Sequence, residues 1–238
     1  MDKATIKQKV CEAIAAHRAD IEAIANAILA EPELGFKEVK TAKKVQDALA
    51  KLGLEFTTEH GLTGVKARMK GRTSKRTIAM LAELDAIVCR NHKNADPVTG
   101  AAHCCGHNIQ IANMIAVAYG LREVMDELDG DVVLFAVPAE EYVEIDWRNA
   151  QRDANRLKYL GGKQQLIAEG AFDDIDMAMQ MHVAAGSEFN LGASSNGFIG
   201  KLIEYHGRPA HAAFAPEEGI NALNAAMMGV MGVNAIRE

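Results

Sequence analysis

An α/β fold with a mostly parallel sheet flanked by helices, followed by the start of a smaller α+β domain, is what this sequence predicts. Three observations carry that expectation. The apolar runs Thr77–Ala82 and Asp131–Val137 read as strands buried on both faces, as parallel strands are. Segments of helical periodicity separate the strands, which is the alternation of βα units. Residues able to hold a cation or move a proton fall at C-terminal strand ends, where open α/β sheets place their ligands.

The elements follow in order. Ile6, Val10, Ile14, Ile21, Ile24 and Ile28 recur at helical spacing and predict one amphipathic opening helix that ends before Pro32. A second helix is predicted over residues 36–52, capped by Gly53. Leu54–Thr58 and Gly64–Met69 read as strands, and a polar turn leads from there into Thr77–Ala82. A long polar loop spans 87–102. After it come a helix at 108–128, the strand Asp131–Val137, a helix at 149–169 and a strand at 176–182 that ends in a histidine. Beyond Gly186 a Gly/Ser/Asn stretch precedes a strand-like run at 198–207, turns at Pro209 and Pro216, and a helix from Glu217 onward. The predicted division is therefore 1–190 for the first domain and 191–238 for the beginning of the second.

Composition narrows the function. With 238 residues, 49% hydrophobic and 24% charged, the chain has the make-up of a globular protein with a sizeable core. A formal net charge of −6 argues against a nucleic-acid partner. Charges recur through the first thirty residues, and no stretch reaches a charge-free membrane-spanning length, so neither an export signal nor a membrane partner is predicted. The four cysteines, Cys11, Cys89, Cys104 and Cys105, form no paired framework. Reduced thiols in the cytoplasm are the expectation.

The chemistry lies in three clusters. Strand 77–82 runs into Glu83 and Asp85, and the loop after it ends in His103-Cys104-Cys105-Gly106-His107-Asn108. Strand 131–137 runs into Pro138-Ala139-Glu140-Glu141, and strand 176–181 ends at His182. If these strands are parallel, Cys105, His107, Glu140, Glu141 and His182 converge on one rim. Thiolate, imidazole and carboxylate together suit a borderline metal such as zinc. A helix start after Cys105 favours its thiolate form. One glutamate of an adjacent pair is then free to take a proton from water. Singly, each element has an ordinary alternative: a solvated acidic pair, a strand-end histidine, two small buried cysteines. Their joint placement on three strand ends shifts the weight.

These residues resemble the metal-dependent amidohydrolases and carboxypeptidases that include hippurate hydrolase, auxin-conjugate amidohydrolases and p-aminobenzoyl-glutamate hydrolase. The family's H-A-C-G-H-[DN] matches His103 to Asn108, with Cys104 in place of alanine, and its P-A-E-E matches Pro138 to Glu141. N-P-E-L-G-F matches Glu31 to Phe36 with glutamate in place of asparagine, and A-[ED]-x-D-A matches Ala82 to Ala86. The strand ending in His-Val matches His182-Val183, and G-x-x-A-H-A-A-x-P matches Gly207 to Pro216 with one extra residue. The resemblance runs in order along almost the whole chain. It implies a zinc-peptidase-like catalytic domain and a lid or dimerisation domain. It implies Cys105, His107, Glu141 and His182 as ligands of a divalent metal, zinc or manganese, with one or two ions. Glu140 would be the general base, Asp85 would orient a ligand, and His211 would reach substrate from the lid.

This sequence departs from the family pattern at several points. Asn108 and Gln110 replace an aspartate and a histidine common elsewhere, which hints at the p-aminobenzoyl-glutamate branch. The segment after Glu141 is long, with Tyr142, Trp147 and Arg148 as candidate pocket walls and an ordinary exposed helix as the alternative. The sequence stops at Glu238, short of the family's closing histidine, so a fragment, a split-gene product or a reduced relative is expected. The function implied is hydrolysis of an amide bond in N-acyl or aminoacyl amino acids or folate-like conjugates, with a small amide or dipeptide as substrate and a homodimer formed through the lid. The alternatives are a truncated, non-catalytic homologue that binds metal or a partner, and a thiol hydrolase using Cys105.

Overall fold

The structure is a computed structural model and describes residues 1–184, 186, 192 and 197–237. The chain divides into two compact units, Met1–Gly186 and Ser187–Glu238. The boundary expected at 190/191 and residues 193–196 of the Gly/Ser/Asn stretch lie outside the described residues, as does Glu238.

Unit 1 opens with α1 (Lys3–Ala16) and α2 (Arg18–Ala30) instead of one helix. His17 separates them with φ −103° and ψ 14°, and its ring stacks on Tyr119 at 4.1 Å, a long-range contact that spacing alone does not reveal. Asp2 caps α1 by accepting the Thr5 N–H at 2.7 Å. Next come α3 (Val39–Lys51), β1 (Phe56–His60), β2 (Gly64–Met69) and β3 (Thr77–Glu83). The polar loop is closed by two short strands, β4 (Ile87–Val88) and β5 (Ala101–Ala102), paired antiparallel. Then follow α4 (His107–Arg122), β6 (Asp131–Val137), α5 (Ile145–Asp153), α6 (Gly162–Ala168) and β7 (Met177–Gln180). The single helix expected at 149–169 is thus two shorter ones: the chain leaves α5 at Asp153, Asn155 takes a left-handed φ of 55°, and α6 starts at Gly162. A Cβ on Gly162 would stand 1.7 Å from the Pro138 carbonyl oxygen.

The sheet order is β1-β2-β6-β3-β7. β3 pairs parallel with both β6 and β7, while β2 joins β6 antiparallel and β1 extends the hairpin. Side chains alternate between two cores, as the strand period of two requires. Val65, Ala67, Met80, Ala82, Leu134 and Ala136 face the core shared with Ile28, Val45, Leu49, Ile111 and Ile115 of α2, α3 and α4. Ala79, Leu81, Val133, Phe135 and Val137 face the second core with Leu166 and Ala171. Burial on both faces explains the unbroken apolar character of β3 and β6.

The opposite end of the sheet is tied by Asp131, which is buried at the start of β6. Its carboxylate accepts from Arg68 Nη1 at 2.9 Å, the Gly71 N–H at 3.1 Å and the Ser74 hydroxyl at 3.1 Å. Burial alone would raise its pKa, but these bonds outweigh burial and hold it below the usual carboxylate range.

Unit 2 contains a 3-10 turn at Pro216–Glu218 and α7 (Ala222–Ala235), capped by Asn221. The run at 198–207 forms no strand. The one β-bridge among the described residues of this unit pairs Arg208 with Ile220, and a strand needs a neighbour to take its N–H and C=O groups. Among the described residues no helix is long and apolar enough to cross a membrane.

Replacing Asp131 by Asn removes charge-assisted bonds and is expected to lower stability at pH 7 by about 2 kcal/mol in urea denaturation. Because the folded-state pKa is depressed, the stabilisation is fully present above the unfolded value of about 3.9 and is lost as pH falls through the folded pKa. The gap between parent and variant should therefore narrow in acid; a gap independent of pH would refute this role.

Candidate metal centre

The parallel register brings the chemistry together. Glu83 lies beside Val137, so β3 and β6 finish level with each other. β7 pairs Leu81 with Gln180, its last residue, and His182 follows two residues later. The segment after β6 then carries Glu140 and Glu141 across the end of β3, where Ala139 takes a left-handed φ of 49°.

α4 begins at the same rim. Gly106 precedes it with φ 86°, a conformation that costs an L-residue about 1–2 kcal/mol. A Cβ there would also stand 2.3 Å from Val183 Cγ2. This turn presents Cys105 and His107 toward the strand ends. Cys105 Sγ lies 3.2 Å from His182 Nε2. The ligand atoms of Cys105, His107 and His182 all lie within 4.8 Å of one another. Glu83, His107 and Glu140 form a second group that meets the same limit. Glu141 is a hydrogen-bonding neighbour of the Cys105 thiol but is in neither group.

Each histidine has one nitrogen engaged by backbone. His182 Nδ1 bonds the Val183 carbonyl at 2.7 Å, leaving Nε2 toward Cys105. His107 Nδ1 bonds the Asp85 carbonyl at 2.8 Å. Its Nε2 lies 2.9 Å from Glu83 Oε2 and 3.9 Å from Glu140 Oε2. With its Nδ1–H given to a carbonyl, the His107 ring turns Nε2 to the carboxylates, where either a proton or a cation answers their charge. The S, N, N and O donors gathered at this rim fit a divalent cation.

Asp85 is fully buried and joins the pieces. Its Oδ2 accepts the Glu141 N–H at 2.9 Å, and Oδ1 lies 3.4 Å from His107 Nδ1. Burial pulls the His107 pKa down, but Asp85 and Glu83 outweigh it and push it up to about 11. Burial would raise the Glu83 pKa; His107 and Lys163 outweigh it and hold this carboxylate ionised far below its ordinary value. Gln110 and Gln180 also donate to Glu83, at 2.8 and 2.7 Å. Glu140 is half-exposed, and burial followed by the Glu83 charge raises its pKa, the direction a proton acceptor near neutrality requires.

The thiol differs from the sequence expectation. A helix start was expected to favour the thiolate of Cys105, but burial raises its pKa and Glu141 adds to that, with His107 opposing. His211 lies in unit 2, where its Nδ1 accepts the Ala213 N–H at 3.2 Å and its ring packs 4.6 Å from Phe214.

Three buried groups have no assigned role in the sequence reading, although His103 lies in a quoted motif and Arg148 is a candidate pocket wall. Glu38 accepts the Ala139 N–H at 2.8 Å and the Thr63 hydroxyl at 2.6 Å; burial and the Asp85 charge raise its pKa to about 7. Its signal was its place two residues after Phe36 in the early motif. His103 is buried with both ring nitrogens unpartnered, and burial lowers its pKa to about 4. Arg148 is fully buried, although it sits on a helix whose sequence reads as exposed.

Comparison with known proteins agrees with this architecture. The chain is 29% identical over 201 residues to thermostable carboxypeptidase 2 of Saccharolobus solfataricus, covering 81% of this chain and 47% of that protein. It is 28% identical over 227 residues to hippurate hydrolase of Campylobacter jejuni, covering 91% and 54%. The chain thus spans about half the length of the curated relatives it matches. The solved Bacillus subtilis YXEP protein, described as a dinuclear metal-binding peptidase from the M20 family, superposes with a TM-score of 0.57 at 27% identity over 69% of this chain and 42% of that one.

Gly106→Ala is expected to cost at least about 1–2 kcal/mol in urea denaturation, from backbone conformation alone. A variant as stable as the parent would show that the turn before α4 does not need the left-handed conformation. The model of peptidase family M20/M25/M40 matches residues 79–237, more than half of the sequence and the ends of β3, β6 and β7, and this chain belongs to that family.

Proposed function

We propose that this chain carries the metal-binding part of an amidohydrolase that cleaves the amide bond of N-acyl or aminoacyl amino acids, or of p-aminobenzoyl-glutamate-like conjugates. The observation that carries the reading is the meeting of the Cys105, His107 and His182 ligand atoms within 4.8 Å of one another. Cys105, His107, Glu141 and His182 would hold the ion or ions, zinc or manganese. A divalent cation held there supplies a Lewis acid that polarises a carbonyl and acidifies water.

The residues do the rest. Glu140, half-exposed and 3.9 Å from His107 Nε2, takes a proton from the attacking water and returns it to the departing amine. Asp85 holds the His107 ring and the Glu141 backbone in place, the two groups on which ligand direction depends. The substrate class rests on the relatives named above, one of them a hippurate hydrolase, and on Asn108 and Gln110, which lean toward the p-aminobenzoyl-glutamate branch. In the same reading residues 1–190 are the catalytic part and 191–238 the beginning of a lid through which two copies pair. His211 steadies substrate from that lid. A cytoplasmic setting fits the four free cysteines.

Glu140→Gln should keep metal affinity and lose about 10²–10⁴-fold in turnover, while Cys105→Ala should lose metal affinity. Metal analysis and an assay on N-acyl amino acids and p-aminobenzoyl-glutamate decide it. Parental rates in both variants would sink the assignment; metal binding without turnover in the parent would favour a non-catalytic homologue.

A further inference from the structure

Among the described residues one buried cation has no role in the chemistry above. Arg148 is fully buried on α5, and its guanidinium makes no ion pair within 4 Å. It instead donates to two backbone carbonyls, Nη2 to Glu141 at 2.7 Å and Nη1 to Leu160 at 2.7 Å. Those carbonyls mark the two ends of the long segment between β6 and α6. Its Cζ lies 5.2 Å from the centroid of the Phe36 ring and 5.9 Å from that of Tyr142.

The early motif makes room for it. A Cβ on Gly35 would stand 2.4 Å from Arg148 Nη2 and 2.8 Å from Ala139 Cα. Glycine there therefore lets the 31–36 segment pass close against both the guanidinium and the strained Ala139 turn. Burying a guanidinium costs several kcal/mol, and here Nη1 and Nη2 are bonded while the buried Nε has no hydrogen-bond partner, so the two bonds it does make must matter to what surrounds it. What surrounds it is the Glu140–Glu141 backbone. That backbone is held from below by Asp85 through the Glu141 N–H and from the side by Arg148 through the Glu141 carbonyl.

We propose that Arg148 is a positioning residue that clamps the peptide of Glu141 and thereby aims the Glu140–Glu141 carboxylates at the Cys105–His107–His182 cluster. This rests on the metal-centre reading above. The long segment is then a device that supplies a buried guanidinium to the back of the site. Lysine cannot replace it, because a single ammonium does not span two carbonyls in a fixed fork.

The test titrates Co²⁺ alone into the full chain and follows the visible absorption of the bound ion, with far-ultraviolet circular dichroism as the check on folding. Arg148→Lys should remain folded and bind Co²⁺ about 10–100-fold more weakly, as loss of groups that orient ligands does. Arg148→Ala should behave likewise, with affinity recovering on addition of methylguanidinium. A purely structural role would lower the melting temperature yet leave the cobalt spectrum and affinity of the folded variants unchanged, and that result overturns the proposal. If Arg148→Ala does not fold, Arg148→Lys decides alone. Absence of cobalt binding by the parent, or parental binding by Cys105→Ala, would overturn the metal-centre reading itself and this inference with it.

Discussion

Asp85 is the point at which three separately folded pieces of chain become one site. It stands just beyond β3, its carbonyl takes the His107 Nδ1–H from the first residue of α4, and its Oδ2 takes the Glu141 N–H from the segment after β6. Arg148 and Glu38 also hold the acidic segment, but Asp85 bonds both it and the helix start. With Asp85, two residues that would otherwise adjust independently share one buried anchor. A fully buried carboxylate is tolerable only because backbone N–H and imidazole surround it, and Arg148 and Glu38 extend the same polar layer.

That layer sets the electrostatics. Glu38, Glu83, Asp85 and Glu140 gather on one side, answered by His107, Lys163 and Arg148. The carboxylates do not share one fate. Glu83, bonded to two amides and facing His107 and Lys163, stays ionised, while Glu38 and Glu140 rise, the first by burial and Asp85, the second by burial and Glu83. A half-exposed carboxylate with a raised pKa beside a permanently charged one is the division of labour that proton transfer and charge compensation require.

The fold was largely legible in the sequence. β6 spans the residues its apolar run predicts, and β3 extends that prediction by one, because both are buried on two faces and need no alternation. Boundaries failed where long-range contacts decide them. His17 ends α1 against Tyr119, over a hundred residues away, and after the chain leaves α5 at Asp153 the next helix starts only at Gly162, against Pro138 and Ala139. The run at 198–207 has the composition of a strand, but composition supplies no hydrogen-bonding neighbour.

By itself the sequence determined which side chains are available to a cation and that they sit on three strand ends: Cys105 and His107, Glu140 and Glu141, and His182. Those follow from residue type and from the apolar runs that precede them. Only the tertiary structure decided that Glu83 faces His107, that Glu38 lies beneath Ala139, and that Arg148 turns inward to bind the Glu141 carbonyl. Each of these pairs bridges separate elements or reverses what a polar residue on an exposed helix ordinarily does. The direction of a buried charge is set by which partners surround it in space, and no local pattern along the chain encodes that.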